Sequence, residues 1–278
     1  MAQSYEARLM RVLNYVYANL DGDLSLDTLA DVAALSRFHF HRVFTGMTGE
    51  TVAAFTRRVR LFRASAALLQ THDPIERIAI YCGYVNVRSF VRAFQSAYGM
   101  TPDAFRKRGV VQPALQFNAH GDYEMYDVKI ETREDIRLAV MPHHGAYMEI
   151  GEVFEAVMTT LMTRGLGAQL GQMVGVYLDD PAAVPESELR SFAGAQILGD
   201  AEITAPLEVM EITGGKFAML TYQGHYSGLA KAYAYLFGEW LPKSGEVPRD
   251  SPPFEIYLNR PQDTKVENLI TLICAPLK

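Results

Sequence analysis

Residues 36–58 read SRFHFHRVFTGMTGETVAAFTRR, and a closely similar stretch recurs fifty residues further along the chain. A shift of fifty residues superimposes eight identities within this short window. The identical pairs are Phe40 and Phe90, Arg42 and Arg92, Phe44 and Phe94, Gly49 and Gly99, Thr51 and Thr101, Ala54 and Ala104, Phe55 and Phe105, and Arg58 and Arg108. Self-similarity at a fixed period indicates a repeated structural unit. The N-terminal part of the chain is therefore interpreted as a duplicated unit.

Each copy has the pattern of a short helix, a turn and a second helix. Ser36 and Asn86 stand where the N-cap of each second helix belongs, and Gly83 supplies the turn of the second copy. Two phenylalanines four residues apart give each second helix an apolar face, and Arg42 and Arg92 lie on another face. A helix of this kind after a tight turn is typical of a helix-turn-helix recognition helix.

The second copy closely resembles the signature of the AraC/XylS family of transcription regulators over residues 78–107, IAIYCGYVNVRSFVRAFQSAYGMTPDAFRK. The resemblance covers residues 6–108. It implies an all-α domain of seven helices, in which a long helix over about residues 51–70 joins two helix-turn-helix subdomains. It also implies that both recognition helices enter successive major-groove segments of double-stranded DNA.

Candidate base-contacting residues follow from this resemblance by position. They are Phe38, His41 and Arg42 in the first recognition helix, and Arg88, Ser89 and Arg92 in the second. The sequence departs from the family at Val87, where relatives often carry a polar side chain. This departure puts a base contact by Val87 in question.

The bulk properties of the chain are those of a globular protein. Its 278 residues are enough for two domains of ordinary size. Its apolar runs are shorter than a membrane span, and MAQSYEARLM lacks the features of a signal peptide, so we expect a cytoplasmic protein without a membrane partner. Cys82 and Cys274 fall in apolar surroundings and are expected to be buried thiols. Neither suggests a metal site, and no cofactor is expected.

The net charge of −6 conceals opposite charges in the two halves. Residues 1–110 contain 14 Lys and Arg against 9 Asp and Glu, a net charge of +5, and residues 111–278 contain 12 against 23, a net charge of −11. A basic half suits a polyanion such as DNA, whereas an acidic half is repelled by one. We therefore predict a DNA-binding domain at 1–110, a linker at 111–125 and a second domain at 126–278.

The second domain contains its own internal repeat. At an offset of 79 residues, AVMPHHGAY (139–147) matches AMLTYQGHY (218–226). Each stretch has the alternation of a strand and precedes a helical pattern. The same offset pairs Leu161 with Trp240 and Phe154 with Tyr233 in these helices.

One residue further on, the offset becomes 80. There GVYLDDP (175–181) matches EIYLNRP (255–261). We interpret the domain as an α+β fold of two strand-helix-strand modules related by a pseudo-twofold axis. Such modules would pair their sheets and leave a groove between their helices.

The second half resembles the GyrI-like effector-binding domain over about residues 126–278. The resemblance rests on four stretches, HHGAY, GGKFAMLTYQGHY, FGEWLPKSG and FEIYLNRP. It implies a site between the two modules that binds small molecules, often lipophilic cations, with aromatic walls and a buried glutamate. Glu255 stands where that glutamate is expected.

The internal repeat singles out Glu255 independently of any family. The symmetry-related position is Gly175, so one module has acquired a carboxylate in a strand. A carboxylate among apolar neighbours is costly unless it is paired, and a cation stacked on aromatic rings would pair it. The predicted ligand-binding residues are Glu255, Tyr147, Tyr226, Trp240 and Tyr257. The alternatives are a solvent-facing glutamate and aromatic side chains that belong to the core.

The sequence therefore predicts a ligand-responsive, sequence-specific DNA-binding transcription regulator that senses a small lipophilic cation. Its expected partners are double-stranded DNA, this ligand and RNA polymerase. No enzymatic activity is predicted. One alternative is a hydrolase of strained electrophiles, in which Glu255, Tyr226 and Trp240 act as the base and its orienting groups. The other is a protein-binding module, similar to relatives that sequester gyrase.

Overall fold

The computed structural model describes residues 4–109 and 125–278. Within the first range, every regular element is a helix. The helices are α1 Tyr5–Ala18, α2 Leu26–Ala33, α3 Arg37–Thr48, α4 Val52–Gln70, α5 Ile75–Tyr81, α6 Val87–Tyr98 and α7 Pro102–Arg108. The prediction of two helix-turn-helix units connected by one long helix, here α4, is confirmed.

The two copies begin their recognition helices in different ways. In the second copy, Gly83 adopts a φ of 78°, and the Asn86 side chain accepts a hydrogen bond from the amide of Ser89, as predicted. In the first copy the left-handed turn residue is Ala34, with a φ of 53°. The hydroxyl of Ser36 is buried and finds no hydrogen-bond partner among the described residues. The predicted side-chain cap at Ser36 is therefore wrong, because that hydroxyl does not reach the helix amides.

The phenylalanine faces form core, as their spacing predicts. Four repeat residues are buried: Phe40, Phe44, Phe90 and Phe94. In the second copy, the ring of Phe94 stacks on Tyr98 with 4.5 Å between centroids and meets Phe105 edge-on at 5.3 Å. Val87 packs against the same cluster. Its apolar side chain thus has a structural role at the start of α6.

Residues 125–278 form one antiparallel sheet with helices packed on it. The strands are β1 Asp127–Arg133, β2 Ile136–His144, β3 Leu170–Tyr177, β4 Arg190–Ile197, β5 Glu208–Ile212, β6 Gly215–Gln223, β7 Phe254–Tyr257 and β8 Ile270–Pro276. Their order across the sheet is β1-β6-β8-β7-β3-β4-β2-β5. The connection from β2 to β3 contains α8 Gly151–Thr163, and the connection from β6 to β7 contains α9 Leu229–Tyr235 and α10 Leu241–Ser244.

The strand order is symmetric about its centre, which confirms the two pseudo-twofold modules. The first strand of each module is exchanged, since β1 pairs with β6 and β5 pairs with β2. Strands β3 and β7 meet at the centre of the sheet, where Gly175 lies opposite Glu255. Because these two residues are also the equivalent positions of the repeat, the pseudo-twofold axis passes through this pair. The sequence difference at that pair therefore lies in the middle of the domain.

The change of offset from 79 to 80 residues has a structural origin. Leu236–Trp240 form a π-helical turn, whereas the equivalent part of α8 is a regular α-helix. A π turn accommodates one extra residue in a helix. Leu161 and Leu241 are both fully buried, but Trp240 is only half-buried. The predicted pairing of Leu161 with Trp240 is therefore wrong by one residue, and Leu161 corresponds to Leu241.

The described residues fall into two compact units. One contains the chain up to Ala34 and from Met47 to Gly109, and the other contains Leu35–Gly46 and the residues from Met125 onward. Most of α3 therefore belongs to the same unit as the sheet. The predicted linker, residues 111–125, lies outside the described residues except for Met125. The predicted boundaries at 110 and 126 stay predictions.

Both cysteines are free and buried, in agreement with the sequence prediction. Burial raises the pKa of the Cys82 thiol to about 11. Within residues 4–109 and 125–278, no helix is both long enough and apolar enough to span a bilayer. The same ranges contain no group of three potential metal-ligating side chains.

Candidate functional site

Glu255 is buried at the centre of the sheet, with 4% of its surface exposed. Its strand neighbours Phe254 and Ile256 lie in a core cluster on one face of the sheet. Since successive strand residues point to opposite faces, the Glu255 side chain lies on the other face. There it meets Tyr233 of α9. The alternative of a solvent-facing Glu255 is thereby excluded.

Tyrosine hydroxyls hold both carboxylate oxygens of Glu255. The Tyr233 hydroxyl donates to Oε1 at 3.1 Å, and the Tyr257 hydroxyl donates to Oε2 at 2.8 Å. The hydroxyl oxygens of Tyr257 and Tyr177 are 2.6 Å apart. Because the Tyr257 proton is directed at Glu255, the Tyr177 hydroxyl donates to the Tyr257 oxygen. The carboxylate therefore has neutral hydrogen-bond donors, and no salt bridge to it occurs within the described residues.

Burial raises the pKa of Glu255 to about 7, although the hydrogen bonds from Tyr257 and Tyr233 and the nearby charge of Arg42 act in the opposite direction. Desolvation disfavours the ionised carboxylate, whereas hydrogen bonds and a positive charge favour it. Burial, followed by the charge of Glu255, also raises the pKa of Tyr226. The carboxyl group is therefore close to half-ionised at neutral pH.

Aromatic rings surround this carboxylate. Tyr226 and Phe154 meet the ring of Tyr257 edge-on, with centroids 5.6 and 5.3 Å away. Tyr147 meets the ring of Tyr177 in the same way at 4.8 Å. The structure thus brings three of the predicted aromatic residues, Tyr147, Tyr226 and Tyr257, into one cluster with Glu255.

Trp240 takes no part in these contacts among the described residues, since the π turn places it one position away from the expected repeat partner. Sequence reasoning in turn missed four residues of the cluster: Tyr177, Tyr233, Phe154 and Phe237. The repeat contained a signal for three of them. Tyr177 is the repeat partner of Tyr257, and Phe154 is the partner of Tyr233.

Arg42 of α3 lies against this cluster with only 8% of its surface exposed. Its guanidinium carbon is 5.6 Å from the ring centroid of Tyr233 and 5.8 Å from that of Phe237. The Nη2 group donates to the carbonyl of Asp179 at 2.9 Å, and the Nη1 group donates to the carbonyl of Phe38. A guanidinium within about 6 Å of an aromatic centroid makes a cation–π interaction.

Two histidines of α3 extend this contact. His39 is buried and stacks on Phe237, with 5.4 Å between ring centroids. Burial, assisted by the charge of Arg42, lowers the pKa of His39 to about 3, so its ring is neutral. The Nδ1 atom of His41 lies 2.8 Å from Oδ2 of Asp180. His41 and Arg42, two of the predicted base contacts, are therefore buried within the unit that contains the sheet.

The second recognition helix presents its predicted residues differently. Arg88, Ser89 and Arg92 of α6 are exposed. The hydroxyl of Ser89 donates to the carbonyl of Asn86 in the first turn of the helix. In the first recognition helix Phe38 is half-buried. The role of these residues as base contacts stays a prediction.

Comparison with known proteins identifies a matching family for each half of the chain. Residues 126–278 match the family model of the GyrI-like small molecule binding domain, and residues 29–108 match that of a helix-turn-helix domain. Both resemblances found in the sequence are confirmed.

Three curated relatives show how far the similarity extends. The chain is 26% identical to the Right origin-binding protein of Escherichia coli strain K12, over 94% of this chain and 96% of the relative. It is also 26% identical to the transcriptional regulator Rob of Salmonella typhimurium, over 95% of this chain and 94% of the relative. Over 37% of its length it is 36% identical to YbfP of Bacillus subtilis, described as an uncharacterized HTH-type transcriptional regulator. The matched part is 35% of the length of YbfP.

Proposed function

We infer the ligand of this protein from its family and from its candidate site. The chain belongs to the GyrI-like small molecule binding family, and it is a DNA-binding transcription regulator of the AraC type. We propose that the small molecule is a lipophilic cation and that Glu255 is its charge partner. The single observation that carries this proposal is the buried carboxylate of Glu255, held by neutral hydroxyls.

The physical reason is the cost of a buried negative charge. Neutral hydroxyls lessen this cost but leave the pKa of Glu255 raised to about 7 by burial. A cation near the carboxylate would offset the remaining cost, and the aromatic rings of Tyr226 and Tyr147, both partly exposed, offer it electron-rich faces. An apolar wall with few convergent polar groups is the usual design of a small-molecule site.

A matched pair of ions tests the sign of the charge. Tetraphenylphosphonium and tetraphenylborate have the same outline and opposite charges, so their difference in affinity isolates the electrostatic part. Calorimetric titration of the full chain at pH 8 is expected to show binding of the phosphonium and no detectable binding of the borate. Equal affinities for the two ions would contradict a cation site.

The glycine opposite Glu255 provides a second prediction. A Cβ atom at Gly175 would lie 2.9 Å from the Tyr177 hydroxyl and 3.1 Å from the Tyr257 hydroxyl. We expect Gly175→Ala to displace these hydroxyls and to weaken tetraphenylphosphonium binding about tenfold, which corresponds to roughly one hydrogen bond. Gly151→Ala is the control, since a Cβ there meets nothing within 4 Å. Equal binding by both variants would show that the hydroxyl positions do not matter.

We further propose that the domain binds its ligand without chemical conversion. Both carboxylate oxygens already accept a tyrosine hydroxyl, which leaves Glu255 poorly placed to activate a water molecule. Incubation of the protein with a strained epoxide, followed by NMR, is expected to show no hydrolysis above the buffer rate. Turnover that is lost in Glu255→Gln would favour the hydrolase alternative.

The proposed macromolecular partners are double-stranded DNA and RNA polymerase. Support for DNA comes from the helix-turn-helix match and from the exposed Arg88, Ser89 and Arg92 on one recognition helix. Arginine in the major groove reads guanine through two parallel hydrogen bonds. We propose that both recognition helices contact successive major-groove segments when both are accessible.

A further inference from the structure

We propose that Arg42 is the resident cation of the Glu255 site, and that an incoming lipophilic cation displaces Arg42 and thereby releases α3 for DNA binding. This inference rests on the proposed function, since it assigns an occupant to the same site before the ligand arrives. It goes further by connecting the ligand site to a recognition helix through named contacts.

Arg42 already occupies the position that a cationic ligand would take. Its guanidinium lies over the ring of Tyr233, and the hydroxyl of that same ring donates to Glu255 at 3.1 Å. The carbonyl of Asp179 accepts from Arg42 at 2.9 Å and also from the hydroxyl of Tyr147 at 3.0 Å. One side of the aromatic cluster is therefore covered by a positive charge from the protein itself.

Two cations cannot share this place without mutual repulsion. Arg42 and an external cation would both use the aromatic rings and the field of one carboxylate, so binding of either weakens binding of the other. By linkage, the docked Arg42 weakens binding of the external cation by the same factor as the bound cation weakens docking of Arg42.

Three contacts besides Arg42 hold α3 on this cluster. The ring of His39 stacks on Phe237, and His41 lies at 2.8 Å from the carboxylate of Asp180. At Gly46 the backbones themselves touch, because a Cβ built on Gly46 would lie 2.3 Å from the Cα of Gly238 and 2.7 Å from its nitrogen. Any side chain at position 46 must therefore push α3 away from the π turn.

The same side chains are the predicted readers of DNA. His41 and Arg42 are candidate base contacts through the resemblance to the AraC/XylS family, and in this structure they are 3% and 8% exposed. A side chain buried against the sheet unit cannot reach a base pair at the same time. Docked α3 therefore excludes the DNA-binding use of these two residues, and the released helix restores it.

Gly46→Ala is the variant that separates these states. The added methyl group forces α3 away from Gly238, whereas alanine is a better helix former than glycine, by about 1 kcal/mol, and so supports α3 itself. The matched control is Ser96→Ala, which changes the exposed repeat-equivalent position of α6. Both variants leave all the predicted DNA-contacting residues and Glu255 in place.

The experiment measures two affinities in the full-length protein. Calorimetry with tetraphenylphosphonium is expected to show about tenfold tighter binding to Gly46→Ala than to Ser96→Ala, because the resident competitor is gone. Fluorescence anisotropy, with a duplex selected from random sequences by the full chain, is expected to show tighter DNA binding by Gly46→Ala in the absence of the cation.

The results separate failure of this inference from failure of the proposed function. If the wild type binds the phosphonium and Gly46→Ala binds it no more tightly than Ser96→Ala, Arg42 does not compete and the inference is overturned. If the wild type does not bind the phosphonium at all, the proposed function fails, and this inference fails with it. Arg42→Met keeps an extended apolar side chain without the charge and is expected to bind the phosphonium more tightly even if Gly46→Ala is unstable. Unchanged or weaker binding by Arg42→Met would contradict the inference independently.

Discussion

Replacement of Glu255 by glutamine is expected to weaken tetraphenylphosphonium binding by about 2–4 kcal/mol, or about 30- to 1000-fold. Glutamine keeps the length and shape of the side chain and removes the negative charge, while its amide nitrogen takes the place of one of the two oxygens that accept from Tyr233 and Tyr257. The loss is comparable to that of one member of a buried charge pair, because the bound cation is left without its counter-charge. The surrounding rings of Tyr226 and Phe154 are unaffected by this change.

Proton release provides an independent check on the same substitution. With a pKa of about 7, Glu255 is partly protonated at neutral pH, and a bound cation favours the charged form. Phosphonium binding to the wild type is therefore expected to release about half a proton at pH 7, visible as a dependence of the binding enthalpy on buffer ionisation. Glu255→Gln has no such group to titrate. A variant that binds as tightly as the wild type, with the same proton release, would place the ligand elsewhere.

The second large effect concerns stability as a function of pH. The pKa of Glu255 rises on folding from an ordinary value of 4.5 to about 7, principally through burial. The protonated form is therefore favoured in the folded state, so the stability contributed by Glu255 is fully present below about pH 4.5 and is lost as the pH rises through 7. The total loss is about 3 kcal/mol, since each pKa unit corresponds to about 1.4 kcal/mol.

Urea unfolding at pH 5 and pH 8 measures this difference. The stability of Glu255→Gln relative to the wild type is expected to increase by about 2.5 kcal/mol between pH 5 and pH 8, since a part of the total loss falls outside this pH range. The tyrosines that face Glu255 are Tyr177, Tyr226, Tyr233 and Tyr257, and burial raises the pKa of each above its ordinary value, so all four stay neutral at these two pH values. Glu202→Gln, at an exposed position, is the control. If the free-energy difference between Glu255→Gln and the wild type is the same at both pH values, the carboxyl group is not desolvated.

Repetition made much of this fold predictable. The recurrence of residues 36–58 predicted two helix-turn-helix units. The phenylalanines of each copy must pack in a core, whereas the arginines lie on another face of the helix. The second repeat predicted two modules related by a pseudo-twofold axis, and in the structure the equivalent residues Gly175 and Glu255 lie opposite each other at the centre of the sheet. A charge that breaks an internal symmetry is a strong sequence signal, because packing alone would have kept the two positions alike.

Other features depend on contacts that a repeat does not encode. The extra residue of the second module could lie in any loop, and only the burial of Leu241 in place of Trp240 locates it in the π turn. The docking of α3 was not predicted for a different reason. A polar helix face carrying His41 and Arg42 has the same pattern whether it meets a DNA groove or an acidic, aromatic protein surface. Its partners, Asp180 and Tyr233, lie more than a hundred residues away in the chain.

We propose that a cation bound at Glu255 controls the binding of DNA by this protein. The most direct measurement is the affinity of the full chain for its selected duplex, with and without saturating tetraphenylphosphonium, in the wild type and in Glu255→Gln. We expect the cation to tighten DNA binding by the wild type and to leave DNA binding by Glu255→Gln unchanged. A wild type whose DNA affinity does not respond to the bound cation, or a Glu255→Gln variant that responds equally at the same cation concentration, would contradict it.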